Sequence, residues 1–248
     1  MTTVRLKTTL FAFILLAMPF RAVAQVGEYR NEFSVGGGVG VALNSVGFTP
    51  RVPQGMHIGP TAGVTTRYVC EKYYSMICSI VAEVNFTSLG WKENILDAYD
   101  QKVINPVTGN AEEYSRTITY LQVPIFAHLA WGKEHSGCNF FFRAGPQLGV
   151  MLGESTSANF NISEANMQDR SNSTVRQYTM DVERKFDYGI AGGLGMEYSV
   201  PRLGHFLLEG RYYYGLGNIY NDSKRDYFGK SNNSTIMVKL TYLTDIFR

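Results

Sequence analysis

The chain has 248 residues, including 16 Tyr, 15 Phe and 25 Gly, and a formal net charge of +2. This composition, together with few helix-forming runs, favours many strands and turns over a helical protein. The nearly balanced charge argues against nucleic-acid binding, because neutralising phosphates requires an excess of Lys and Arg.

The first 24 residues have the features of a secretory signal peptide. Arg5 and Lys7 precede a short apolar run, and Ala22-Val23-Ala24 offers a small-residue cleavage site. The apolar run is shorter than the ~20 residues that a membrane-spanning helix needs. We therefore predict a signal peptide over residues 1–24 and one exported domain over residues 25–248, with no helical membrane anchor.

Eight segments alternate with the two-residue period that is typical of β-strands. One parity of each segment is apolar, as in Val35, Val39 and Val41 of the first, and the other parity is small or polar. In chain order the segments are about 33–43, 57–69, 76–89, 117–131, 138–151, 186–200, 204–217 and 235–247. The sequence therefore predicts an all-β fold of eight strands.

The composition of the second face distinguishes a membrane barrel from a soluble one. A soluble sandwich or a lipocalin-like periplasmic barrel also alternates, but it turns its apolar face inward. Here the other face is largely Gly, Ser, Thr and Gln, with one or a few ionisable groups per strand. Small and polar residues around a lumen, with apolar residues toward lipid, are typical of a transmembrane β-barrel. We predict an integral outer-membrane protein of a Gram-negative bacterium.

The connections between these segments alternate between long and short. They run about 13, 6, 27, 6, 34, 3 and 17 residues, so all the long ones share one end of the barrel. This predicts an eight-stranded antiparallel up-and-down transmembrane β-barrel with short periplasmic turns and long extracellular loops.

Aromatic residues near the strand ends are expected to form interfacial girdles. Trp131, Tyr198 and Tyr242 lie near the predicted periplasmic ends, and Phe48, Trp91 and Tyr114 lie near the outer ends. The last strand ends in Phe247-Arg248. It resembles the signal that the outer-membrane insertion machinery reads, although Phe247 falls on the inward parity.

Several ionisable residues have inward parity. The interior of an eight-stranded barrel is only wide enough for side chains to fill it, and buried charges need partners. We therefore expect these charges to pair across the lumen, and a narrow conducting or gated path is the alternative. The charged residues are Arg67, Glu83, Arg143, Glu197, Glu209, Arg211 and Lys239, and His128 is a further ionisable residue of inward parity.

The sequence offers little support for metal binding, cofactor binding or catalysis. No HxxxH or CxxC pattern points to a metal, no cofactor motif is found, and no Ser/His/Asp set can be assembled near one rim. Cys70 and Cys78 flank the first short turn, and Cys138 lies at another, where the oxidising periplasm allows a disulfide. A Cys70–Cys78 bridge is possible, and free thiols are the alternative because connectivity cannot be read from sequence.

Four segments resemble the PorT-like outer-membrane β-barrel family. They are residues 120–125, 141–149, 189–198 and 209–219. The most specific parts are Tyr120-Leu121-Gln122-Val123-Pro124 and Ala144-Gly145-Pro146-Gln147-Leu148-Gly149. The resemblance covers about residues 30–248 and implies fold and location rather than an activity. PorT itself is associated with type IX secretion.

We expect a non-enzymatic outer-membrane β-barrel that acts through its long surface loops or through partner proteins. Surface recognition, adhesion and support of a secretion assembly such as type IX are the roles that fit a filled lumen beside long loops. The alternative is a small solute channel or gated pore. Outer-membrane lipid and the insertion machinery are the expected partners in either case.

Overall fold

The computed structural model describes residues 27–133, 136–162, 170–171, 174–220 and 226–247. The predicted signal peptide lies outside these residues. Within them the strands are β1 (Glu28–Thr49), β2 (Gln54–Gly55), β3 (His57–Tyr73), β4 (Met76–Asn94), β5 (Glu113–Gly132), β6 (Gly137–Ala158), β7 (Phe186–Val200), β8 (Gly204–Gly215) and β9 (Lys230–Phe247). A short 3-10 helix, Arg176–Tyr178, lies between β6 and β7. No helix in the described part of the chain is long and apolar enough to cross a membrane.

Eight of the nine described strands close into one antiparallel ring. Its order is β1, β3, β4, β5, β6, β7, β8 and β9, and β9 pairs back onto β1 from Phe247 opposite Phe33 to Lys230 opposite Thr49. The two-residue strand β2 is added beside β4, opposite Lys92 and Glu93. Closure gives each long strand a partner on both sides, so the ring has no sheet edge. The predicted eight-stranded antiparallel barrel is confirmed.

The connections divide the ring into two ends. At the turn end, residues 74–75, 133–136 and 201–203 join neighbouring strands; at the loop end, residues 50–56, 95–112, 159–185 and 216–229 do so. The predicted alternation of short and long connections is confirmed. The loops are shorter than expected because the strands continue beyond the predicted segments at the loop end.

The predicted parity of the wall is also confirmed. Leu208 and Leu240 point outward and are about half exposed, whereas their neighbours Glu209 and Lys239 point inward and are buried. The exposed apolar wall is the surface that lipid covers in a membrane barrel.

The parity of apolar residues inverts at the loop end. In the middle of β5, the apolar residues Leu121 and Ile125 point outward. Nearer the loops, the apolar residues Tyr114 and Ile118 instead point inward and are fully buried. Intervening residues there, such as Thr117, are polar and face outward. An apolar interior with a polar exterior is the arrangement of a protein in water, so the strands extend beyond the lipid-facing band.

This inversion corrects one expectation about the aromatic residues. Phe48, Trp91 and Tyr114 are buried inside the barrel and do not form an outer girdle. Near the turn end, Trp131, Tyr198 and Tyr242 do lie on the outer surface, as predicted.

A bulge explains the parity of the C-terminal aromatic residue. In β1, Ser34 pairs with Asp245, and the preceding residue, Phe33, pairs with Phe247. Ile246 is therefore the extra residue in β9. The bulge turns Phe247 outward, where its ring stacks on Phe33 with centroids 5.6 Å apart.

A charge on the lipid-facing wall should destabilise the barrel. We expect Leu240→Arg to lower the free energy of unfolding in lipid vesicles by about 2–4 kcal/mol, because Leu240 lies near the middle of the wall. Leu203→Arg is the matched control, since Leu203 is equally exposed, at 54% against 52%, but lies in the 201–203 turn. Urea unfolding of both variants measures the difference, and equal losses would show that Leu240 does not face lipid.

Candidate functional site

The centre of the lumen contains five of the predicted charges, which we call the mid-lumen network: Glu83, Arg143, Glu209, Arg211 and Lys239. Glu83 is its centre, and its carboxylate lies 2.9 Å from nitrogens of Arg143, Arg211 and Lys239. Glu209 lies 2.9 Å from Arg211 Nε and 3.3 Å from Arg143 Nη1. These side chains come from β4, β6, β8 and β9, so the network joins strands across the interior.

Two further features accommodate this network. Its three cations outnumber its two carboxylates, and Phe126 contacts two of the cations, with its ring centroid 4.5 Å from Arg211 Cζ and 5.8 Å from Arg143 Cζ. The negative face of an aromatic ring stabilises a nearby cation. Gly38 leaves room for Lys239, because a Cβ at that position would lie 2.7 Å from Lys239 Cε.

The other two predicted charges lie nearer the turn end, in what we call the turn-end network: Arg67, Glu197, His205 and Asp245. Arg67 Nη1 donates to both oxygens of the Glu197 carboxylate at 2.8 Å. His205 lies between two carboxylates, with Nδ1 2.7 Å from Glu197 and Nε2 3.1 Å from Asp245. This network joins β3, β7, β8 and β9.

The turn-end network also brings a Ser/His/Asp set together, which the sequence analysis did not find. Ser199 Oγ lies 2.8 Å from His205 Nδ1, and His205 Nε2 lies 3.1 Å from Asp245. The nitrogen beside the serine also lies 2.7 Å from Glu197, so its proton is directed at that carboxylate and Nδ1 offers no free lone pair to the hydroxyl. Ser199 is buried and itself donates to Glu197 at 3.3 Å. The set therefore lacks the activated, accessible hydroxyl that nucleophilic catalysis requires.

The structure places all seven predicted charges in the interior, in two groups rather than one. Four further partners in these networks were not predicted from the sequence: His205, Asp245, Asn85 and Phe126. His205, Asn85 and Phe126 have inward parity in the sequence, which was the available signal. Asp245 also continues the inward parity of β9, but its pairing depends on the fold.

The three cysteines carry free thiols in the structure. Cys70 occupies an irregularity in the β3–β4 ladder, where Glu71 and not Cys70 pairs with Cys78. The Cys70–Cys78 disulfide stays a prediction. Among the described residues, no group of three or more His, Cys, Asp or Glu side chains is suited to hold a metal ion.

A cluster of buried aromatic side chains fills the loop end, and we call it the loop-end cap. Its rings belong to Phe48, Trp91, Tyr114, Tyr220 and Phe228, and Leu89, Ile118 and Val182 pack with them. The Phe48 ring centroid lies 5.2 Å from that of Trp91 and 5.0 Å from that of Phe228. Residues from the connections 159–185 and 216–229 thus fold into the mouth of the barrel.

Arg116 fixes these connections to the cap. Its Nη1 donates to the Gln177 carbonyl and to the Tyr220 hydroxyl, both at 3.1 Å, and its Nε donates to Glu154 at 2.9 Å. A buried guanidinium with several oriented acceptors holds loop segments in one arrangement.

A second polar group lies at the edge of the cap. Tyr178 donates to Glu93 at 2.8 Å and accepts from Arg170 Nη1 at 2.9 Å. Burial and the nearby Glu93 carboxylate raise the pKa of Tyr178, so the phenol keeps the proton that it donates. Gln177 Nε2 donates to the same carboxylate at 2.9 Å.

A closed ring of strands with an apolar exterior, a polar lumen and a folded loop end defines a transmembrane β-barrel. The family model described as "Outer membrane protein beta-barrel domain" matches residues 23–221, and the chain belongs to this family. In outer-membrane barrels the short turns face the periplasm and the long loops face the exterior. The turn end is therefore periplasmic and the loop end is extracellular.

Several solved structures are similar to this chain at low sequence identity. Ail of Yersinia pestis is 10% identical, with 86% of this chain and 99% of that one covered and a TM-score of 0.33. Neisserial surface protein A is 12% identical, with coverage of 85% and 96% and a TM-score of 0.38. OprG of Pseudomonas aeruginosa is 10% identical, with coverage of 88% and 98% and a TM-score of 0.40. No curated protein matches the sequence.

Removing the central anion of the mid-lumen network should destabilise the barrel strongly. We expect Glu83→Gln to lower the free energy of unfolding by about 3–5 kcal/mol, because three buried cations lose their shared carboxylate. Glu113→Gln is the control, since Glu113 pairs with Lys92 at the exposed surface and should show no measurable loss. Urea unfolding in lipid vesicles measures the free energy of unfolding of both variants. An unchanged stability in Glu83→Gln would mean that the network does not depend on the charge of Glu83.

Proposed function

We propose that this protein is a non-enzymatic surface-recognition barrel, with a closed lumen and an extracellular loop end that contacts other molecules. The loop-end cap is the observation that carries the proposal. Side chains from the barrel and from two long connections pack there as a folded core, and a core of this kind holds loops in defined positions. Loops of fixed shape on a rigid scaffold are the usual carriers of recognition.

The interior supports this proposal because it has two barriers in series. The mid-lumen network fills the centre with charged side chains that are at most 1% exposed, and the loop-end cap fills the outer mouth with aromatic rings. We propose that the seven predicted charges act structurally, because their ion pairs hold strands on opposite sides of the lumen together.

The 95–112 connection offers a recognition surface. It folds into two consecutive short hairpins, one closed by the bridge between Leu96 and Lys102 and the other by the bridge between Ile104 and Ala111. Tyr99 and Val107 are 84% and 90% exposed. The backbone N–H of Tyr99 donates to the Asp97 carboxylate at 2.8 Å. The backbone N–H of Val107 donates to the Asn105 side-chain oxygen at 2.9 Å. Apolar side chains held in fixed turns lose little entropy on binding, which suits them as interface anchors.

Polar substitutions at the turns of these two hairpins should reduce surface binding without unfolding the barrel. We expect cells that express Tyr99→Ser/Val107→Ser to lose most of the adherence that wild-type cells show to immobilised matrix proteins and to other cells. Leu203→Ser is the control, because it removes an exposed apolar side chain from the periplasmic end. Equal adherence of all three strains would contradict a recognition role for the 95–112 connection, and the heat-modifiable electrophoretic band checks folding.

The alternative function is a small solute channel. A cleft of about 20 Å³ at the turn end is lined by Arg67, His128 and Glu197, among others. It has room for only one or two water molecules, and the mid-lumen network lies beyond it.

Planar-bilayer recordings separate the two functions. We expect no stable single-channel current from the purified wild-type protein, because both barriers are closed. A general outer-membrane porin inserted in the same membranes serves as the positive control. A stable wild-type current that changes in Arg143→Ala would favour the channel and reject the closed lumen.

Support of a secretion assembly, such as the type IX system, is the finer role that the PorT-like resemblance suggests. Residues 120–124 and 144–149 are what support it. A partner of that kind would meet the periplasmic turn end, whereas a recognised surface molecule would meet the loop end. Site-specific photocrosslinking from Leu203 and from Tyr99 in intact cells would show which end has protein neighbours.

A further inference from the structure

Strand β6 extends farther beyond the closed ring than its neighbour β7. Its pairing with β5 continues to Ala158, whereas its pairing with β7 ends at Val150. One more backbone bond, from Met151 N to Lys185 O at 2.7 Å, completes the ladder on the β7 side. Beyond it, residues 152–158 are paired only with β5 in the described part of the chain. We call the other side of residues 152–158 the β6 edge.

The ladder with β5 determines which backbone groups face the β6 edge. Asn159 N donates to Glu113 O at 3.3 Å, so the backbone of Asn159 faces β5. The N–H and C=O groups of successive residues alternate between the two sides of a strand, and Glu154, Thr156 and Ala158 therefore face away from β5. Within the described residues, the N–H and C=O groups of these three make no hydrogen bond. The β6 edge thus presents a regular row of donors and acceptors.

The described residues of the 159–185 connection do not cover this edge. As it leaves β6, the connection runs over the β5 side, where the Asn159 side chain donates to a backbone carbonyl of the 95–112 connection at 2.7 Å. As it returns, it enters the mouth of the barrel, where Val182 is buried in the loop-end cap. Residues 154–158 are all exposed. The β6 edge is therefore accessible from the exterior.

The β6 edge lacks the residues that usually protect an exposed strand from pairing. Such strands commonly contain Pro or Lys, or direct a charge toward an incoming strand. The segment Leu152-Gly153-Glu154-Ser155-Thr156-Ser157-Ala158 contains neither Pro nor Lys. The charge of Glu154 is paired with Arg116, whose Nη2 lies 2.8 Å away. The other side chains are small or uncharged, so they leave the backbone open to a partner.

We propose that the β6 edge binds an extended segment of a partner polypeptide, which adds to the sheet as a further strand. An extended polypeptide presents its N–H and C=O groups with the same repeat as the edge, about 6.8 Å for two residues. Saccharides and lipids have no such repeat. The inference deepens the proposed surface-recognition function and rests on it.

A second copy of this chain in the same membrane does not fit the β6 edge. Both copies have the same orientation, so joining the same edge of each requires a two-fold axis along the membrane normal. Strands of such barrels tilt by about 35–45° from this axis, and the two β6 strands would therefore cross at roughly 70–90°. Neighbouring strands in a sheet differ by only about 20–25°. The occupant is therefore a segment of another protein.

Amide exchange of the mature protein in lipid nanodiscs tests the edge without a variant. In the free protein, the amides of Glu154, Thr156 and Ala158 should have protection factors at least about tenfold lower than those of Ser155 and Ser157, which are bonded to β5. A bound strand should raise the protection of the first three amides and leave the other two unchanged.

A blocked peptide serves as the probe, and its binding is followed by NMR. It is acetyl-Glu-Tyr-Ser-Arg-Thr-Ile-Thr-amide, the sequence of residues 113–119 in β5, the strand that pairs with the other side of β6. Two further forms carry N-methyl groups on the odd or on the even positions of the peptide. Because alternate N–H groups of a strand point to opposite sides, one form should bind within about threefold of the parent and the other at least about tenfold more weakly.

A proline on the edge provides a matched pair of variants. Thr156→Pro removes an N–H that faces the edge and leaves the hydrogen bonds to β5 in place, so it should bind the parent peptide at least about tenfold more weakly than wild type. Thr156→Ala is the control, because it removes the same hydroxyl but keeps the N–H, and it should bind within about twofold of wild type. The heat-modifiable band checks that both variants fold.

Four results would overturn the inference. They are equal binding of the two methylated peptides, no binding of the parent peptide at millimolar concentration, strong protection of the edge amides in the free protein, and protection that rises with protein concentration alone. The last result would assign the edge to a second copy. If one of the four occurs while Tyr99→Ser/Val107→Ser still abolishes adherence, the edge is rejected and the proposed function stands. If adherence is also unaffected, both are rejected.

Discussion

The structure depends on one constraint: in lipid, each backbone N–H and C=O must find a partner within the protein. Strands meet this requirement only when the sheet closes, and here β9 pairs with β1 along most of its length. Closure at eight strands leaves an interior that side chains fill. The charges that point inward therefore meet one another, and Glu83 contacts cations from three other strands. The lumen networks follow from the closure of the ring.

The same strands pass through lipid and then through water, and this accounts for the inverted distribution of apolar residues at the loop end. In the lipid band the wall is apolar outside and polar inside; beyond it Tyr114 and Ile118 turn inward while Thr117 faces water. The outer part of the barrel is thus built like a soluble protein, with its own apolar core. That core is what allows Arg116 to hold two long connections in place. A folded extracellular surface is the result, and the proposed recognition function rests on it.

Polar clusters in this molecule have to be judged by geometry and not by residue type. Ser199, His205 and Asp245 have the residue types of a hydrolase, but the Glu197 carboxylate occupies the nitrogen that a nucleophile would need. Glu93 and Arg170 match no sequence motif, yet Tyr178 joins them at the edge of the loop-end cap, where it donates to Glu93 and accepts from Arg170. Burial and partner identity, and not residue type, distinguish a structural network from a catalytic site.

The sequence by itself determined the ring of eight strands, their parity and the alternation of turns and loops, because a two-residue period and the length of a connection are local properties. It also placed Arg67, Glu83 and Arg143 in the lumen, since parity alone fixes the side of the wall. The tertiary structure alone decided which charges pair, because Glu83 and Lys239 are brought together by closure from distant parts of the chain. It likewise decided that Phe48, Trp91 and Tyr114 belong to a core and not to a girdle. From the sequence alone, an aromatic residue near a strand end can belong to a girdle or to a core. Only the folded loops above it determine whether it contacts lipid or protein.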